Sequence, residues 1–180
     1  MGPYITYPEA PALSLRRSSS NPLTSYNIHS KEFPGLKSSS REFTYSSSAE
    51  VELIDVTGDV ERAVRESGVR SGICLVSVPH ATAAVVANEH EEGLLRDMIG
   101  IIRELFPRDR DYLHNRVDDN AHAHLAAAII GSSRSFPVVD GRLVRGAWQN
   151  IFLVELDGPR SVRKVVVTVV GDGDGDGNGD

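Results

Sequence analysis

Two segments in the C-terminal third constrain the fold most. In Trp148–Leu156, Trp148, Asn150, Phe152, Val154 and Leu156 face one way. Gln149, Ile151, Leu153 and Glu155 face the other. Both faces therefore carry apolar groups, and Val165–Val170 is likewise apolar on both faces. A strand with one wet face alternates apolar and polar residues, whereas one without that alternation is covered on both sides. The chain must supply that cover with a second sheet, packed helices or a subunit interface. Its 180 residues suit one domain with tails.

The rest of the body supplies candidates for that cover. Arg41–Ser46 reads as a strand with Phe43 and Tyr45 on one side, and Val51, Leu53 and Ile54 mark a second. Thr57 reads as the N-cap of a helix bearing Val60, Ala63 and Val64, which Gly68 ends. Ile73–Val78 is a buried strand closed by Pro79-His80, and Ala83–Ala87 another that runs into Asn88-Glu89. Leu94, Leu95, Met98, Ile101, Ile102 and Leu105 form the stripe of the strongest helix, stopped by Pro107. Asn120 is a cap for a third helix, Ala121–Ile130, before Gly131. Asp140-Gly141 between Phe136–Val139 and Arg142–Val144 signals a hairpin. The order β-β-α-β-β-α-α-β-β-β predicts an α+β fold, a sandwich-like core with helices to the side.

Composition narrows the functions. The net charge of −6 disfavours nucleic acid as a partner. Cys74 is the only cysteine, which excludes an intrachain disulfide and a Cys-rich zinc site and points to a reducing, cytoplasmic setting. No apolar run approaches the roughly 20 residues of a spanning helix, so no membrane partner is expected. Residues 1–40 are Ser- and Pro-rich, basic and without periodicity; they read as a disordered extension, with a transit peptide as the alternative. Residues 41–171 form the single domain, and 172–180 read as a solvated acidic Gly/Asp tail.

Two constellations carry chemistry. His80 ends a buried strand, His114 lies in the polar stretch, and His124 sits on the face of the third helix set by Asn120. Three imidazoles from separate segments form a catalytic-zinc pattern. His122, two residues from His124, points elsewhere on that helix. The carboxylates Glu89, Asp97, Asp118, Asp119 and Glu155 neighbour the same segments. Glu155 lies on an otherwise apolar strand and requires a partner, with Arg145, Arg160 and Arg163 as candidates. Trp148 reads as core, and Cys74, inside an apolar strand, as inert.

Taken in order, His80-Ala81-Thr82-Ala83-Ala84, Asn88-Glu89, Asp97, His114, Asp119-Asn120-Ala121 through His124, Gly131, Pro137, Gly141, Gly146-Ala147-Trp148-Gln149, Glu155 and Arg160 resemble the signature of the YjbQ-like family over residues 40–171. Ala81, Ala147, His90 and Phe136 depart from it, and His122 is extra. The resemblance implies a two-sheet fold of about seven strands with two to three helices, assembling as a homotrimer. It also implies secondary thiamine-phosphate synthase activity, in which phosphorylated pyrimidine and thiazole are joined and pyrophosphate leaves. On this reading Glu89, Asp119, Gln149 and Glu155 are catalytic. Asn88, Asn120, Arg145 and Arg160 meet the small phosphorylated substrate, and His80, His114 and His124 hold zinc or magnesium. The alternatives are a non-catalytic metal- or anion-binding trimer and a metal-assisted hydrolase.

Overall fold

The computed structural model describes residues 35–173. The expectations for residues 1–34 and 174–180 lie outside the described residues. The domain is wider than the sequence reading drew it. Strand β1 (Leu36–Tyr45) pairs antiparallel with β8 (Arg163–Gly173) from Leu36↔Asp172 to Tyr45↔Arg163. The serines at 38–40 and the start of the Gly/Asp run are therefore strand residues. Ladder hydrogen bonds use the backbone, so low-complexity side chains do not prevent pairing with a valine-rich strand.

Strands β2 (Glu52–Asp55), β3 (Val69–Ser77), β4 (Ala83–Glu89), β5 (Ser133–Val139), β6 (Arg142–Leu143) and β7 (Gln149–Glu155) complete two antiparallel sheets, ordered β1-β8-β3-β5-β6 and β2-β7-β4. Helices α1 (Thr57–Ser67), α2 (Glu92–Leu105) and α3 (Ala121–Ile130), with a 3-10 turn at Leu113–Arg116, complete the described residues. The α+β class and sandwich core expected from the sequence are present.

β7 is covered on both faces. Ile151 and Leu153 pack with Cys74, Val76, Val138, Val165 and Val167 of the larger sheet, and with Val60, Ala63 and Val64 of α1. Val154, on the opposite face, packs with Ile102 of α2 and Ala123, Ala126 and Ala127 of α3. Each large apolar side chain buried here contributes about 1.5–3 kcal/mol. β8 differs. Val165, Val167 and Val169 face the core, but its outer face is left open, as are Ile73, Leu75 and Val139 on neighbouring strands. The stripe of α2 is also only partly covered: Ile102 is buried while Ile101 and Leu105 are exposed.

Local chemistry sets the element ends. Asp140 and Gly141 both adopt positive φ, 53° and 72°, as a tight two-residue hairpin requires. Gly68 ends α1 in the left-handed conformation. Thr57 is the first residue of α1 rather than its cap. Its hydroxyl donates to Asp55 and accepts the N–H of Ile151, tying the helix to β7. Asn120 holds the N-cap position of α3 without a side-chain cap bond; its amide donates to Asp118 and Asp157 instead.

Glu155 and Arg163 form the central polar contact. Glu155 is fully buried and Arg163 nearly so. Arg163 donates through Nε and Nη2 to the two carboxylate oxygens at 2.7 and 2.5 Å, and Ser47 Oγ adds a bond at 2.8 Å. Burial pushes the Glu155 carboxyl up, but the hydrogen bonds from Arg163, the Asp157 backbone and Ser47 carry it below its ordinary value. A lowered carboxyl pKa gives stability that is complete above the unfolded value, near 4.5, and is lost as pH falls through the folded value. Glu155→Ala is expected to cost about 3–5 kcal/mol, because it strands a buried guanidinium. Chemical denaturation at pH 7 measures it, and a loss under about 1 kcal/mol would contradict this account.

Candidate functional site

The loop after β3 carries His80, and the first residues of β8 fix it. Lys164 N–H donates to His80 Nε2 at 2.8 Å, and Arg163 Nη2 donates to Thr82 Oγ1 at 3.0 Å. With Nε2 accepting, the neutral ring carries its proton on Nδ1. Burial, then the cations Arg163 and Lys164, hold the His80 pKa below its ordinary value, so the ring is neutral at pH 7. His80 lines a cleft of about 430 Å³ with Ala83, Gly131, Ser132 and His124. His124 also lines a second cleft of about 620 Å³, with Arg110, Tyr112 and His114. The rings of His114 and His124 meet edge to face, with centroids 5.0 Å apart. His124 therefore joins the two clefts, with His80 on one side and His114 on the other.

This arrangement does not form the expected three-histidine metal centre. Among the described residues no three His, Cys, Asp or Glu side chains are grouped to hold a metal ion. His80 Nε2 is already engaged, and only His114 and His124 are adjacent.

The remaining expected residues divide between two ends of the smaller sheet. Ala83 pairs with Glu155 at one end of the β4–β7 ladder, and Glu89 pairs with Gln149 at the other. Six residues of strand separate Gln149 from Glu155 by roughly 20 Å. They share no cleft, because facing the same way along a strand does not bring residues together. Glu155 is sealed against Arg163 and unavailable to substrate. Asp119 is exposed and bonded to Arg108 at 2.8 Å. Arg160 is bonded to Asp157 at 2.6 Å, beside Asn120, whose Oδ1 is buried without a partner.

At the far end, Gln149 Oε1 accepts the Gly146 N–H and closes the turn, while Arg145 holds Glu61 and the Gln149 carbonyl. Asn88 and Glu89 are exposed there. Trp148 is 75% exposed on this turn and not core. A polar cluster the sequence reading missed lies nearby. Asp55 accepts bonds from Thr57, from Asn150 at 2.7 Å and from His90 at 2.7 Å. Burial pushes its carboxyl up, yet the bonds from Thr57, Asn150 and His90 bring it below the ordinary range. The sole signal was His90, a departure from the family signature. Cys74 is buried, which pushes its thiol up to about 12 and leaves it inert.

Two antiparallel sheets, helices packed on both faces of the smaller one, and a histidine-lined pair of clefts define a small α+β domain. Its sequence carries the profile of the UPF0047 protein YjbQ-like family across residues 41–172, and the chain belongs to that family. A UPF0047 protein of Archaeoglobus fulgidus is 45% identical over 125 residues, covering 69% of this chain and 97% of the relative. Another from Methanothermobacter thermautotrophicus is 42% identical over 131 residues, covering 73% and 91%. The crystal structure of a protein of unknown function from Sulfolobus solfataricus, described as YbjQ-like, is 51% identical. It superposes with a TM-score of 0.75, covering 76% of this chain and 99% of its own.

His122 lies apart from the clefts. It is 6% exposed, and neither ring nitrogen has a hydrogen-bond partner. Nε2 is 3.7 Å from Glu50 Oε1, which accepts from Arg108 at 2.8 Å. The ring lines a small cavity of about 40 Å³ with Ile102, Phe106, Ala126 and Leu156. Buried polar atoms without partners destabilise. His122→Leu is therefore expected to hold or raise the melting temperature, by up to about 4 °C for a gain near 1 kcal/mol. A fall of several degrees by calorimetry would show that the ring is partnered.

Proposed function

We propose that the chain is an enzyme acting on a small phosphorylated molecule in the two clefts joined by His124. Transfer of the thiamine-phosphate synthase type is the specific activity proposed. The observation that carries this reading is the sharing of His124 between the His80 and His114 clefts. In such a transfer the bond from the pyrimidine methylene to pyrophosphate breaks, the thiazole nitrogen bonds to that carbon, and pyrophosphate departs with the electron pair. The leaving group needs hydrogen-bond donors and positive charge. The N–H of neutral His80, the imidazoles of His114 and His124, and Arg110 in the larger cleft are the groups that support this role. A metal would be held by the His114–His124 pair, whose imidazole nitrogens suit zinc better than magnesium, and would supply positive charge to the leaving group.

A second reading, a trimer that binds an anion or metal without turnover, is favoured by the engagement of two expected catalytic carboxylates with arginines, Glu155 with Arg163 and Asp119 with Arg108. Both readings include a homotrimer. Ile73 and Leu75 on the outer face of the larger sheet are 58% and 40% exposed and call for cover by another copy. Among the described residues no helix is long and apolar enough to cross a membrane, and the lone, buried Cys74 supports a cytoplasmic location.

Pyrophosphate release with both thiamine precursors, with and without added metal, tests the activity. His124→Ala is expected to lower it at least about 100-fold, in line with loss of a proton-transferring group. No turnover would leave the binding reading, and an unchanged rate in His124→Ala would take the chemistry out of these clefts. Sedimentation is expected to give a trimer that Ile73→Asp with Leu75→Asp dissociates; a monomeric wild-type protein would overturn the assembly.

A further inference from the structure

The opposite end of the molecule holds a second charged concavity. β3 and β5 pair from Ser77↔Ser133, near His80, to Ser71↔Val139, near the β5–β6 hairpin. Beside that hairpin, α1 and β6 enclose a cleft of about 250 Å³ lined by Glu61, Arg65, Arg142 and Leu143. Arg65 comes from the last turn of α1 and Arg142 from the first position of β6, so the two guanidinium groups approach from separate elements.

The charges around this cleft are not balanced. Glu61 is met by Arg145, whose Nε and Nη2 donate to Oε1 at 3.0 and 2.9 Å. On the rest of α1, Arg62 pairs with Asp59 at 2.6 Å, and Glu66 pairs with Arg41 at 2.9 Å. Arg65 and Arg142 have neither an ion pair nor a hydrogen bond among the described residues. With Glu61 neutralised by Arg145, the cleft carries two uncompensated positive charges in a chain whose net charge is −6. Arginine presents a planar fork that matches phosphate oxygens two at a time. Two such forks facing one concavity match a dianion.

We propose that this cleft is a binding site for a phosphoryl dianion, the terminal group of a phosphate monoester or a pyrophosphate, gripped by Arg65 and Arg142. Glu61, held by Arg145, forms the remaining charged wall of the cleft. The site is separate from the His124 clefts, and the proposal stands whether or not those clefts are catalytic.

Titration calorimetry of the full chain at low salt, with inorganic phosphate, inorganic pyrophosphate and glycerol phosphate as probes, tests it. The wild-type protein is expected to bind pyrophosphate and at least one of the other two. Arg65→Gln with Arg142→Gln is expected to weaken the affinity tenfold or more without changing the melting temperature, since neither side chain holds the fold. His124→Ala removes any contribution of the other clefts, and in that background the binding that depends on Arg65 and Arg142 is expected to persist. Arg103→Gln with Arg116→Gln removes the same charge elsewhere and is expected to leave the affinity within twofold. An equal loss in that control would show diffuse attraction and overturn the site. So would the absence of binding at millimolar pyrophosphate, or unchanged binding in the Arg65/Arg142 variant.

Discussion

The ion pair between Glu155 and Arg163 is the contact on which the other parts depend. It lies between the two sheets, where neither charge is tolerable alone. Its oxygens also take the N–H groups of Leu156 and Asp157, and Ser47 passes the link on by accepting the N–H of Arg160. One carboxylate thus joins the end of β7, the start of β8 and the loops before β2 and before β8. Through Arg163 and its neighbour Lys164 it also orients the loop that carries Thr82 and His80. The buried charge is a scaffold for the histidine clefts rather than a reagent within them.

The molecule has two polar ends because β7 is the central strand of the smaller sheet and is buried from Ile151 to Glu155. The residues that protrude at its start, around Gln149, and those near its finish, around His80, are kept apart by a strand that cannot bend without breaking ladders on both sides. One end gathers imidazoles and apolar cleft walls. The other gathers an Asp55–His90–Asn150 cluster and the arginines flanking α1. Their chemistries differ, which argues for two distinct recognition tasks within a domain of modest size.

Much of this architecture was legible in the sequence. The doubly apolar pattern of Trp148–Leu156 foretold a strand between two layers, and Asp140-Gly141 foretold its hairpin. Gly68 ended α1 where it was read to end. Periodicity could not say which cover each strand receives: β7 takes a sheet and three helices, whereas β8 has one open face. At the site, His124 and His122 were correctly separated by helical geometry. Glu155 was recognised as needing a partner, with Arg163 among three candidates. The convergence of Glu155 with Gln149 was misread because side-chain direction was taken for proximity. Asp55 was invisible because its partners, His90 and Asn150, lie 35 and 95 residues away and meet it only through the smaller sheet.

Trp148, the only tryptophan in the chain, sits on the exposed turn that Gln149 closes and not in the core. Its fluorescence therefore reports a surface loop. Emission from the native protein is expected to resemble that of a solvated indole and to change little when the sheets unfold. Core melting must be followed through backbone signals, while a shift in the indole spectrum marks something settling onto the Gly146–Gln149 turn.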